Sequence, residues 1–182
     1  MNGRICVFCG SSRGNDESFA RMAEGAADAI VAAGYGIVYG GGSIGLMGVL
    51  ADAALRAGGE VVGVIPRALA RAEVAHRGLT RLELVTSMHE RKARMEALSD
   101  AFIALPGGFG TMDELSEILS WRQLGIHGKP VGLLNHRGYF GHLIDLFDVM
   151  VLRGFLSAEN RSLLACADSI EGLLHAMRLT PS

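Results

Sequence analysis

Short apolar runs alternate along the chain with longer stretches in which apolar positions recur every three or four residues. Runs of the first kind suit buried strands, and those of the second suit helices with one packed face. Ile5 to Cys9 reads as a first strand, with Gly10-Ser11-Ser12 leading toward a helix from about Ser18 to Ala33 that Gly34 stops. Gly36 to Tyr39 is a second strand, followed by the glycine-rich turn Gly40 to Gly48 and a helix to about Ala57. Val61 to Ile65 is a third strand, ended by Pro66, and Leu82 to Val85 a fourth. Between them Arg67 to Thr80 is polar, arginine-rich and unpatterned, the expected place for a flap. A helix from Met88 to Leu98 leads to a strand at Ala101 to Leu105, and another helix ends near Leu124. Val131 to Leu134 reads as a strand, Tyr139 to Leu152 as a helix, and an apolar run near Leu163 to Cys166 precedes a last helix from about Glu171.

Such alternation predicts an α/β fold built on a doubly wound parallel sheet. No repeat, linker or low-complexity segment interrupts it, so a single domain is expected over the 182 residues. In such a sheet the strand-to-helix turns open at the carboxyl ends of the strands, where ligands bind. Three glycine- or serine-rich turns then face one crevice: Gly10 to Ser12, Gly40 to Gly48 and Gly107 to Thr111.

The third of these turns carries the strongest expectation of chemistry. The run Ala101 to Leu105 ends at Pro106, and Gly107, Gly108 and Gly110 give the backbone room to turn and let a ligand approach the main chain. A helix is expected from Met112 with Thr111 as N-cap, which makes the turn an anion site at a helix N-terminus. Thr111-x-x-Glu114 also fits a capping box, in which Glu114 does no more than close the helix end. That pattern recurs at Ser87-x-x-Glu90, where capping is the preferred reading. Capping does not require the double glycine in front of Glu114, and this favours a functional carboxylate.

The second turn contains Gly40-x-Gly42-x-x-Gly45, a superficial match to the dinucleotide fingerprint. It follows the second strand instead of the first, and no acidic residue closes the next strand to hold a ribose. A nucleotide or ribose lying close to the backbone fits it better. The basic groups come from Ser87 to Met95. Glu90 and Arg94 there can form a solvated pair four residues apart, with Met88, Met95 and Leu98 facing the core. Arg91 and Lys92 stay unexplained by that reading, because cations in a first helical turn oppose the dipole.

Composition narrows the function classes. A net charge of −2 gives no basic footprint, so nucleic acid is an unexpected partner, and no apolar run reaches membrane-spanning length. A soluble cytoplasmic protein is expected. Cys6-x-x-Cys9 places its thiols on opposite faces of a strand, which rules out a shared metal, and all three cysteines read as small buried residues. No metal and no cofactor are implied.

Met88-His-Glu-Arg91-Lys92 followed by Pro106-Gly-Gly-Phe-Gly-Thr111-Met-Asp-Glu114 resembles the paired motif of the LOG family, the cytokinin riboside 5′-monophosphate phosphoribohydrolases, long labelled lysine decarboxylases. The resemblance runs from Phe8-Cys-Gly-Ser-Ser12 through Gly40 to Gly48 to the segment Gln123 to Pro130. It implies a Rossmann-like homodimer that hydrolyses the N-glycosidic bond of AMP-like nucleoside monophosphates and releases a free base and ribose 5-phosphate. On the matching positions, Arg91 and Glu114 are the expected catalytic pair. Lys92 and Gly107, Gly108, Gly110 and Thr111 are expected to bind the nucleotide, with Met88 beside the base and Gly42 and Ser12 contributed by the other two turns. A non-catalytic nucleotide or cofactor carrier of the same fold is the rival, which Arg91 and Glu114 together disfavour. A pyridoxal decarboxylase would need a Schiff-base lysine, and the chain has only Lys92, inside the arginine motif, and Lys129, before Pro130.

Overall fold

The computed structural model describes residues 2–70 and 75–179. Its strands are β1 (Arg4–Phe8), β2 (Gly36–Tyr39), β3 (Val61–Pro66), β4 (Arg81–Val85), β5 (Ala101–Ala104), β6 (Val131–Leu134) and β7 (Leu164–Ala167). All pair in parallel, in the order β4-β3-β2-β1-β5-β6-β7. The chain winds outward from β1 in one direction and returns to β5 on its other side. The reversal between β1 and β5 opens a crevice at the carboxyl edge.

The helices are α1 (Glu17–Ala32), α2 (Gly45–Arg56), α3 (Arg67–Ala70), α4 (Met88–Ala97), α5 (Phe109–Gln123), α6 (Gly141–Leu152), α7 (Ala158–Arg161) and α8 (Ile170–Ala176). Successive strand residues serve opposite faces. Ile5 and Val7 pack with α1, α2 and α8, while Cys6 and Phe8 pack with α4, α5 and the flank of α6. The β1, β2, β3, β5 and β6 runs are buried on both faces, which is why they read as continuous apolar stretches rather than alternating ones.

Three local expectations change. Helix α5 begins at Phe109 with Gly108 as its cap, three residues before the expected Met112, so Thr111 is not an N-cap. The helix expected from Tyr139 begins at Gly141 as α6, and a 3-10 turn at His136–Gly138, in which Arg137 has φ of 52°, precedes it. Cys166 is exposed, while Cys6 and Cys9 are buried on the two opposite sides of the sheet as their spacing requires.

The flap expected at Arg67 to Thr80 contains α3 and, past residues 71–74 that lie outside the described set, a tether. Ala75 forms an antiparallel bridge with Gly42, and the His76 amide donates to the Gly41 carbonyl at 3.0 Å. The His76 ring pairs with Asp52 of α2 at 2.9 Å.

Candidate active site

Helix α5 opens without a side-chain cap, because Gly108 has none to offer. The Met112 amide bonds back to the Gly108 carbonyl at 3.2 Å, so the amides of Phe109, Gly110 and Thr111 stand at the start of the helix where no intrahelical acceptor precedes them. The dipole adds positive potential at the same point. A Cβ on Gly108 or Gly110 would meet nothing within 4 Å, so the main chain is open to a ligand there. Gly107 differs: a Cβ would stand 2.1 Å from Thr111 Oγ1 and 2.8 Å from the Gly10 amide nitrogen. Its bareness serves packing between turns. Thr111 is 2% exposed and its buried hydroxyl has no hydrogen-bond partner. An orphaned buried hydroxyl beside open amides is the donor an incoming anion would satisfy.

With the helix starting at Phe109, Glu114 lies more than a turn inside it, and the capping-box reading fails. Its Oε1 sits 3.4 Å from Nη1 of Arg91, and the two residues are 7% and 8% exposed. Arg91 is fixed independently of Glu114. Its Nε donates to the Val64 carbonyl at 3.1 Å, its Nη2 to the Gly40 carbonyl at 3.4 Å, and its Nη1 approaches the Met88 sulfur at 3.8 Å. The planar fork of donors is divided between backbone of β3, backbone of the second turn and the carboxylate. Buried Arg91 is thus reached by folding, and its place early in α4 follows from the partners it meets.

The expected Glu90–Arg94 surface pair does not form. Glu90 accepts from the Thr86 amide and hydroxyl at 2.7 and 2.5 Å while Ser87 caps the Glu90 amide at 3.1 Å, and Arg94 reaches Glu83 of β4 at 2.5 and 3.1 Å. The Thr86 hydrogen bonds hold the Glu90 carboxyl below its ordinary value. Lys92 turns toward α5, where its ammonium lies 3.1 Å from Asp113 and 2.6 Å from Glu117. Burial pulls its pKa down, the two carboxylates more than compensate, and the net shift is upward. Lys129 pairs with Glu96 and donates to the Glu96 carbonyl at 2.7 Å. Both lysines are therefore spent on ion pairs.

Arg91, Glu114 and the α5 turn line one cavity of about 170 Å³, together with Cys9, Gly10, Ser11, Gly40 and Met47. Of the expected binding set, Gly108, Gly110 and Thr111 belong to this wall. Met88 is 39% exposed and touches the site through Arg91. Gly42 accepts from the Tyr39 hydroxyl at 3.1 Å and bridges to Ala75 instead of facing the cavity. Ser12 and Gly107 line a neighbouring cavity of about 270 Å³ with Arg13, Phe19, Leu46 and Tyr139, which shares Gly10, Ser11 and Gly108 with the first. Among the described residues no group of three or more His, Cys, Asp or Glu is placed to hold a metal ion.

Cys9, Gly40, Met47 and Phe109 line the cavity without having been among the expected site residues. Cys9 directly follows β1 at the sheet's reversal point, a positional signal available beforehand; its thiol is pushed far up by burial and by the Glu114 charge, so it stays protonated. Phe109 is 96% exposed between two bare glycines. At the second turn, the glycines make room for protein. A Cβ on Gly45, at φ +63°, would lie 2.2 Å from the Ser11 carbonyl carbon. The α2 amides of Leu46 and Met47 donate to the Gly10 carbonyl at 3.0 and 3.3 Å, so that helix end is already filled by backbone.

The family described as possible lysine decarboxylase matches residues 47–177. A probable cytokinin riboside 5′-monophosphate phosphoribohydrolase of Oryza sativa subsp. japonica is 50% identical over 175 residues, 96% of this chain and 78% of the relative. A cytokinin riboside 5′-monophosphate phosphoribohydrolase of Arabidopsis thaliana is 47% identical over 171 residues, 94% of this chain and 80% of the relative. Among solved structures, the Moco carrier protein of Chlamydomonas reinhardtii superposes with a TM-score of 0.73 at 22% identity, covering 97% of this chain and 95% of the other. The molybdenum cofactor binding protein of Rippkaea orientalis gives 0.70 at 20% identity, over 98% and 97% of the two chains. At such identities the structural likeness speaks to the Rossmann-like fold alone. Relatives near half identity along nearly the whole chain carry more, and with the family match they show that this chain belongs to the LOG family of cytokinin riboside 5′-monophosphate phosphoribohydrolases.

Proposed function

We propose that the protein hydrolyses the N-glycosidic bond of AMP and N6-substituted adenosine 5′-monophosphates, releasing the base and ribose 5-phosphate. One observation carries the reading: a buried carboxylate, Glu114, is held by Arg91 in the cavity whose rim is the open N-terminus of α5. The relatives' names support the same substrate class.

In the proposed arrangement the 5′-phosphate rests on the amides of Phe109, Gly110 and Thr111 and on the Thr111 hydroxyl, far from the bond that breaks. Its binding energy fixes the ribose over Glu114. As the bond from C1′ to the base nitrogen breaks, its electron pair leaves with the base and the sugar becomes oxocarbenium-like, a cation that a carboxylate stabilises. Water adds its oxygen to C1′ and one of its protons ends on the base. Glu114 opposes the developing charge and orients the water. Arg91, 3.4 Å away, holds Glu114 in place. Lys92 is assigned a bracing role between α4 and α5 and not a contact with substrate, because its ammonium already bridges Asp113 and Glu117.

The cytoplasm is the inferred compartment, consistent with three unbridged cysteines, and among the described residues no helix is long and apolar enough to cross a membrane. A homodimer is the inferred assembly. The deciding experiment is chromatography of AMP or an N6-substituted analogue incubated with the protein. Free base and ribose 5-phosphate are expected, and Glu114→Gln retains binding while losing roughly a hundredfold in rate, about 3 kcal/mol of barrier. Tight binding by the wild type without product would overturn the reading in favour of a carrier.

A further inference from the structure

The cavity that holds Arg91 and Glu114 has its charges balanced, one guanidinium facing one carboxylate. The neighbouring cavity is different. Arg13 is the one charged residue in its wall among the described residues. The Arg13 guanidinium, exposed at the lip, makes no hydrogen bond or ion pair among the described residues. Asp16, the acid nearest to it in sequence, is already engaged: it accepts from the Ser18 amide at 2.7 Å as the cap of α1 and from Arg137 at 2.7 Å.

Carbonyl oxygens, which would repel an anion, are taken up around the same cavity. Pro106 accepts from the Gly10 amide at 3.1 Å, Gly107 from the Tyr139 hydroxyl at 2.7 Å, Gly108 from the Met112 amide at 3.2 Å and Ser12 from the Leu46 amide at 3.4 Å. The backbone beside Arg13 is held as well. Ser12 Oγ accepts from the Gly14 amide at 3.3 Å, and a Cβ on Gly14, at φ +77°, would stand 2.9 Å from the Phe19 ring, so the loop lies tight against that ring. Size points the same way. At about 170 and 270 Å³ neither cavity alone reaches the roughly 300 Å³ at which small-molecule pockets begin, and joined past Gly108 they exceed it.

We propose that the substrate spans both cavities, with its ribose over Glu114 and its 5′-phosphate at the shared Gly108 wall, and that Arg13 closes on the phosphate from the second cavity and selects phosphorylated nucleosides over free ones. This rests on the nucleotide reading of the site. The phosphate then meets the α5 amides and the Thr111 hydroxyl, which is buried and unpartnered, on one side and a guanidinium on the other. A guanidinium presents a fork of donors that matches two phosphate oxygens, and such charge-assisted bonds are stronger than those of neutral donors. A nucleoside without the phosphate leaves Arg13 in solvent and gains nothing from it.

Calorimetry with AMP, ribose 5-phosphate and adenosine tests this on the wild type, Arg13→Gln and Arg13→Lys. Because Arg13 is exposed, both variants are expected to melt with the wild type. Arg13→Gln is expected to lose roughly tenfold or more in affinity for AMP and ribose 5-phosphate, the worth of a hydrogen bond to a charged group, with adenosine unchanged. Arg13→Lys keeps the charge without the fork and should fall between. The wild-type advantage should shrink as salt rises. Unaltered AMP affinity in Arg13→Gln, or an equal loss for adenosine, overturns the proposal. A wild type that binds AMP through Arg13 yet releases no base would instead overturn the proposed hydrolysis and leave the phosphate contact standing. A wild type that binds neither AMP nor ribose 5-phosphate would overturn both.

Discussion

Gly40 and Arg91 occupy a space that admits only one side chain: a Cβ at Gly40 would stand 2.1 Å from Arg91 Nη2. Gly40 does not have a positive φ, so its backbone accepts alanine and the conflict falls on the far end of a flexible arginine. Gly40→Ala is expected to fold but to melt below the wild type, since the guanidinium must leave a buried ion pair and the Met47 sulfur, 3.1 Å from the new methyl, must give way. Displaced from the Gly40 carbonyl, the guanidinium no longer holds Glu114, and kcat should drop by roughly ten- to a hundredfold. Kinetics beside thermal melting check this; an unaltered kcat would mean that Glu114 does not depend on Arg91.

Thr111 separates stability from binding. Its buried hydroxyl is unpaired in the free protein, a condition that costs about 1–3 kcal/mol. Thr111→Val keeps the outline and removes that penalty, so the unliganded variant should be at least as stable as the parent. Nucleotide affinity should weaken roughly tenfold or more, the value of one hydrogen bond to a charged group. Denaturant titration and calorimetry on the same preparations read the two effects.

The glycines of the α5 turn divide in the same way. Gly107→Ala drives a Cβ into Thr111 and the Gly10 backbone, and is expected to destabilise by several kcal/mol or prevent folding. Gly110→Ala meets open space in a helical position, where alanine gains up to about 1 kcal/mol. That variant should melt higher and bind AMP less well, because the added methyl takes ligand space. Equal binding by Gly110→Ala would place the phosphate elsewhere.

Acid should loosen the half of the sheet that runs from β1 to β4. Arg4 holds the Glu60 carboxyl below its ordinary value through their hydrogen bond, and Arg94 does the same to Glu83. A carboxyl with a depressed folded pKa contributes stability that is fully present above the unfolded value, near 4.5, and lost as pH falls through the folded one. Glu60→Gln/Glu83→Gln should therefore melt below the wild type at pH 7, and the gap should close as pH falls below 4.5. Paired melting curves across pH test it; a gap that persists in acid would assign the effect to lost packing.

The strands and the crevice were legible because strand periodicity and glycine punctuation are local signals. The β2 and β6 boundaries agree with expectation to the residue, and Arg91 and Glu114 meet in one cavity. What the sequence hid depends on contacts between distant segments. Thr111 has the chemistry of a cap, but Gly108 starts the helix earlier with no side chain at all. Lys92 looked like an anion ligand because nothing local announces Asp113 and Glu117, which arrive only when α5 packs on α4. Gly42 sits in a motif whose spacing suggests a ligand, while its partners are Tyr39 and Ala75.

By accepting from Leu46 and Met47, the Gly10 carbonyl spends the positive end of α2 on the protein itself. Of the α2 and α5 turns, the one at α5 keeps its amides for an anion. A ligand bearing two well-separated phosphoryl groups would find no second helix end waiting at α2, and acquiring dinucleotides there would first require unfastening the two loops that meet at Gly10.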